Sequence, residues 1–219
     1  MTAPAPTPDA AAERSRGLAS GIAAYVIWGF FPLLFPLLKP AGAFEILAHR
    51  IIWSLVAVAL ALVLLRHPWG WLRSALTRER LPRIVAAAFL VGLNWLVFIW
   101  AVNSNHVVEA SLGYFINPLL NIVLGVLIFG ERMSRAGLAG TLLATAGVAV
   151  IAWENWAGLW VSLTLALTFG LYGAVKKKAS APPLGGLFLE SAILLPFALA
   201  YWGWLAVTGA SQFGADART

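Results

Sequence analysis

VVEASLGYFINPLLNIVLGVLIFGERMSR, residues 107–135, decides the fold class. The run is apolar except for a few polar groups at regular places. It is long enough to cross a bilayer, which takes about 20 residues at roughly 1.5 Å rise each. Ser111, Tyr114, Pro118, Asn121 and Gly125 recur at steps of three and four, so they share one stripe of a helix. Asn117 sits beside the stripe near mid-span. Pro118 removes a backbone donor, marks a helix break and frees a carbonyl one turn earlier. In lipid such a group needs protein or water as a partner. The stripe is therefore expected to face other helices or a wet cavity.

The surrounding chain agrees with a membrane setting. Of 219 residues, 61% are hydrophobic and only 11% are charged, where a soluble domain has about a quarter charged. The chain has no cysteine, which excludes disulfides, thiolate metal sites and a cysteine nucleophile. The net charge of +6 does not indicate nucleic acid as a partner, because the basic residues fall in loops between apolar runs. Met1 to Arg16, rich in Ala, Pro and Thr, reads as a disordered cytoplasmic tail. It is not read as a signal peptide, since the following apolar run is too long and lacks a small-residue cleavage site.

Seven candidate spans follow: Leu18–Leu38, Glu45–Leu65, Ile84–Val102, Val107–Phe129, Ala136–Trp153, Trp156–Val175 and Leu184–Val207. With a cytoplasmic N-terminus, the inner side receives Arg14, Arg16, Arg66, Arg73, Arg78, Arg80, Arg83, Arg132, Arg135 and Lys176, Lys177 and Lys178. The outer side receives Lys39 and Arg218. Such asymmetry orients a multi-pass protein and supports the number of spans. Trp69, Trp71, Trp153, Trp156, Trp160, Trp202 and Trp204 fall near span ends, as interfacial tryptophans do. Trp28, Trp53 and Trp95 lie deeper and read as packing or cavity-wall residues. Gly29, Pro32 and Pro36 should bend or break the first span, which marks either a substrate region or an ordinary kink. In the fifth span Ala136, Gly140 and Ala144 form a small-residue stripe suited to close helix contact.

GAFEILAHR at 42–50 and GLFLESAILL at 186–195 each follow an apolar span with a central glycine. The later pair of spans reads as a diverged copy of the first pair. An odd number of helices per repeat makes the second copy inverted.

Ionisable groups inside spans are costly and usually face the bundle interior. Glu45, His49 and Arg50 occupy the first two turns of the second span, with Glu45 and His49 on one face. Glu109 enters the fourth span from the same side. Arg50 is expected to pair with Glu109 or Glu45, either as a packing salt bridge or as a binding cluster. A carboxylate there could couple proton movement to transport. Asn94, Tyr114, Asn117 and Asn121 are mid-depth groups able to bond a solute or one another. Glu131 is expected to pair with Arg83, Arg132 or Arg135. Lys176–Lys178 read as an orientation signal, with contact to anionic lipid secondary.

No catalytic residue, cofactor or metal is expected. There is no phosphate loop, the histidines lack zinc spacing, and the aspartates, Asp9 and Asp216, lie outside the spans. A membrane-embedded enzyme acting on lipids is the less favoured alternative for that reason.

AAYVIWGFFP, EILAHRIIWS, NWLVFIWAVN, EASLGYFINPLLNIVLGVLIFGER and FGLYGAVKKK resemble the RarD branch of the EamA-type drug/metabolite transporters. The resemblance runs from about Gly17 to Tyr201 and is most specific from Glu109 to Arg132. It implies an inner-membrane permease built of two inverted five-helix repeats, moving a small solute by alternating access. The expected fold is an all-α polytopic membrane protein, a helical bundle of about seven transmembrane helices. Residues 17–153 would form one complete repeat, and residues 156–208 the first two helices of an inverted second repeat. Residues 209–219 would form a tail. The family pattern continues for about three more helices, so either the chain is a truncated form of a ten-helix protein, or a homo-oligomer or a second chain completes the missing helices. The alternative is a non-transporting remnant or assembly subunit.

Overall fold

In lipid a backbone must satisfy its own hydrogen bonds, so each long apolar run closes into a helix. The computed structural model describes residues 8–154, 156–179 and 182–213. Its helices are α1 (Pro8–Leu34), α2 (Ala43–Leu64), the short α3 (Gly70–Ala75), α4 (Leu81–Asn103), α5 (Val107–Phe129), α6 (Arg135–Glu154), α7 (Leu159–Ala179) and α8 (Pro183–Thr208). Among the described residues seven helical segments are long and apolar enough to cross a membrane. The chain is a polytopic helical membrane protein.

The N-terminal tail differs from expectation. Helix α1 begins at Pro8, so residues 8–16 are helical; residues 1–7 lie outside the described residues. Residues 209–213 turn back over the start of α2, because Gly209, at φ +65°, ends α8 in a left-handed cap. The remainder of that tail, with Asp216 and Arg218, lies outside the described residues.

The proline positions divide. After Leu34 the α-helix gives way to a 3-10 turn, Phe35–Leu38, with Pro36 at its start, as a proline-driven break requires. Pro32 stays within α1. The break expected at Pro118 is not made: α5 runs unbroken through it. Pro118 and Asn121 lie on the open side of the helix, where the ring displaces no packing neighbour.

The molecule is built around α4 and α7 rather than around α5. Helix α7 lies along both α4 and α5, and α8 lies along α2 and α4. Close approach explains the α5–α7 contact. A Cβ on Gly113 would come within 2.9 Å of the Ser162 carbonyl oxygen, and one on Gly170 within 2.7 Å of a Leu120 methyl. Ser162, Ala166 and Gly170 therefore form the working small-residue stripe, four residues apart on α7. The stripe expected to pack, on α6, does not: no α6 residue is buried, and the helix rests chiefly on the flank of α5.

This packing also corrects the orientation of α5. Its buried side carries Ala110, Leu112, Gly113 and Asn117. Of the predicted polar stripe, Tyr114 and Gly125 are covered, whereas Ser111, Pro118 and Asn121 are exposed. Glycine and alanine admit a neighbouring backbone more closely than tyrosine or proline can, and that sets the rotation.

A salt-bridging and stacking pattern fixes which helix ends lie together. Arg83 donates to the Lys178 carbonyl, and Lys177 pairs with Glu131 at 3.2 Å. Glu131 thus pairs with α7, not with Arg83, Arg132 or Arg135, because α7 is the helix packed on α5. Trp69, Trp153, Trp156, Trp160, Trp202 and Trp204 are exposed near helix ends. Of the deeper tryptophans only Trp95 turns inward; Trp28 is 48% and Trp53 64% exposed.

Candidate functional site

Arg50 lies about two turns along α2, on a face that meets α1 and α4. Its guanidinium carbon stands 4.3 Å from the Trp95 ring centre and 5.3 Å from that of Phe31. Face-on contact of this kind is worth about 2 kcal/mol where water is excluded. Neither expected carboxylate pairs with it, and among the described residues no carboxylate does. Arg50 and Tyr114 lie within each other's electrostatic field, and the Tyr114 hydroxyl makes no hydrogen bond among the described residues.

Glu45 is engaged elsewhere. Its carboxylate accepts from the Ser211 hydroxyl at 2.7 Å, the Gln212 N–H at 3.0 Å and the Phe213 N–H at 3.1 Å. His49 stacks on Phe213, with ring centres 4.2 Å apart. These residues, expected near a binding cluster, instead anchor the segment after α8. Gly209 makes this possible by reversing the chain, a feature with no periodic signal. Glu109 lies against Gly158, and its carbonyl accepts from the Ser162 hydroxyl at 2.6 Å. It belongs to the α5–α7 junction. The Arg50–carboxylate pair that would have coupled protons is not formed.

The asparagines act mainly between helices. Asn94 donates to the Leu165 carbonyl at 3.0 Å and to the Thr168 hydroxyl at 2.9 Å. Asn117 donates to the Ala166 carbonyl at 3.3 Å, and Asn121 donates to Asn117 at 2.7 Å. Bonds of this type between membrane helices average about 0.6 kcal/mol each. Here they hold α7 against α4 and α5.

A row of aromatic rings continues from Arg50. Phe35 meets Phe98 at 6.1 Å, Phe98 meets Tyr114 at 5.8 Å, Tyr114 meets Phe169 at 6.4 Å, and Phe169 meets Tyr172 at 5.9 Å. Trp28 closes on Phe169 at 6.2 Å. The row ends at a second cation. Lys176 pairs with Glu190 at 3.1 Å, donates to the Tyr172 hydroxyl, and stands 4.9 Å from the Tyr172 ring centre. Tyr172 donates to Glu190 at 3.1 Å.

Sequence reasoning missed Tyr172, Lys176 and Glu190 as a unit. Two signals were present: Glu190 is the lone charge inside α8, and Tyr172 and Lys176 are i,i+4 neighbours. Counting Lys176 with an orientation cluster hid its inward role. Among the described residues no group of three or more histidine or acidic side chains comes together to hold a metal. A cleft of about 470 Å³ opens beside the start of α2, lined by Lys39, Gly42, Trp100, Asn103 and Ser104.

The arrangement offers an aromatic track with an unneutralised cation at one end and a neutralised one at the other. Residues 15–153 match the model of the EamA-like transporter family. Protein RarD of Streptomyces exfoliatus is 48% identical over 93% of this chain and 64% of its own length. An uncharacterized transporter of Pseudomonas aeruginosa is 44% identical over 88% of this chain and 64% of its own length. Protein RarD of Escherichia coli is 40% identical over 93% of this chain and 69% of its own length. The chain therefore spans 64% of the length of the first two relatives. No solved structure matches it.

Proposed function

The chain belongs to the EamA-like transporter family, and from that premise we propose that it forms the solute-holding part of an inner-membrane permease. The solute would be small and move by alternating access. The observation that carries this reading is Arg50, an arginine within the span that meets ring faces and, among the described residues, no carboxylate. A charge so placed is expensive to keep, and such residues usually mark a pathway. Tyr114, Trp95 and Phe98 form the adjoining wall.

Proton coupling falls to Glu190 on this reading. Glu45 is tied to the segment after α8, whereas Glu190 shares its oxygens with a hydroxyl and an ammonium that can rearrange. The N-terminus would be cytoplasmic. With no native cysteine, Lys39→Cys and Arg78→Cys report sidedness cleanly: an impermeant maleimide should label the first from outside and the second only after lysis.

The test of transport is flux in proteoliposomes holding the 219-residue chain, across a panel of labelled small solutes. Parent protein should move at least one solute, and Arg50→Ala should not. Absence of flux for every solute with the parent would favour the second reading, an assembly subunit. That reading draws on α6, which has no buried residue and a face open to a further helix from a second copy or another chain. Crosslinking through α6 would then be expected, and flux only after co-reconstitution.

A further inference from the structure

Building on the permease reading, we propose that the Arg50 centre selects a flat organic monoanion, a carboxylate carried on a planar apolar body.

The charge comes first. Guanidinium N–H donors lie at the edge of its plane, so a ring over its face leaves them free. The Arg50 guanidinium carbon lies over the rings of Trp95 and Phe31, and no described side chain accepts a hydrogen bond from its N–H groups. A carboxylate fits that fork in a bidentate way. Three of the described carboxylates are committed to other partners: Glu45 to residues 211–213, Glu190 to Lys176 and Tyr172, and Glu131 to Lys177. Lys176 is already neutralised, so it does not compete for the same anion.

The shape follows from the walls. Beyond Arg50 the neighbouring wall is aromatic: Trp95, Phe98, Tyr114 and Phe169 are half-buried, and Phe98 and Phe169 meet Tyr114 edge-on. Ring faces accept flat apolar bodies and offer little to hydroxyls. Asn94 and Asn117, which could have bonded a sugar or polyol, donate to α7. The Tyr114 hydroxyl remains as one further donor for the carboxylate. A cation would be repelled by Arg50.

Benzoate, benzamide and benzamidinium share one outline and differ in charge. Their binding to the full chain in lipid nanodiscs is measured by equilibrium dialysis with labelled compound. Benzoate should bind roughly tenfold or more tighter than benzamide, the span of a charge-assisted bond, and benzamidinium should not displace it. Arg50→Gln should abolish the preference, Arg50→Lys should keep part of it, and Tyr114→Phe should weaken benzoate alone. Unchanged melting of each variant separates recognition from folding. Equal binding of the three compounds, binding of none, or an undiminished preference in Arg50→Gln would overturn the proposal. Benzoate binding without flux would leave it standing and defeat the transport reading instead.

Discussion

Arg50, two turns into α2, and Lys176, in the last turn of α7, are both cations drawn in among the helices, and their surroundings are opposite. Lys176 meets a carboxylate buried to 3% exposure, and a tyrosine completes the set. Arg50 meets rings. A closed ion pair needs no ligand and ties helices together, here α7 to α8, whatever proton movement its acid also carries. An open cation within a span is a structural cost unless something else satisfies it. The difference separates a residue kept for assembly from one kept for recognition.

Removing one member of the closed pair should give the largest effect on folding. Lys176→Met strands Glu190 and should lower unfolding free energy by about 3 kcal/mol, in the range for broken buried pairs. Thermal unfolding in detergent measures it. The double variant Lys176→Met/Glu190→Gln should recover most of the loss; failure to recover would mean the two groups do not act as a pair.

Arg50→Gln tests the open cation and should invert that result. Flux of the transported solute should fall roughly a hundredfold, the loss of one charge-assisted contact, while stability changes by less than about 1 kcal/mol. A large loss of stability would make Arg50 structural and erase the contrast.

The packing that sets the two cations apart is open to a milder test. Gly170→Ala drives a methyl into Leu120 and should cost about 1–3 kcal/mol. Gly140→Ala on α6 meets nothing within 4 Å and should stay within about 0.5 kcal/mol. Equal effects would return α6 to the core. The smallest change is expected for Glu131→Gln. Its pair with Lys177 is 59% and 61% exposed, and such surface pairs contribute about 0–1 kcal/mol.

The sequence was most legible where a local property decides the outcome. The break at Pro36 and the exposed tryptophans at helix ends follow from one residue and its immediate surroundings. Arg50 was singled out because a charge in an apolar run is conspicuous. Its partner was misjudged because charge complementarity says nothing about distance: Glu45 is five residues away yet bonds residues 211–213. The triad of Tyr172, Lys176 and Glu190 stayed hidden for a related reason. Lys176 belongs to a run of three lysines, and only helix rotation distinguishes the inward one.

Length and apolar character of each run, read along the chain, were enough to establish a seven-span helical membrane protein, because lipid imposes that demand on every segment separately. Tertiary structure decided which faces meet. Gly113 and Gly170 let α5 and α7 close on one another, and that contact turned Asn117 inward and left Asn121 open, while the meeting of α2 with α1 and α4 placed Arg50 against rings instead of acids. Rotation and spacing of helices depend on groups far apart in the chain, and no single segment carries that information.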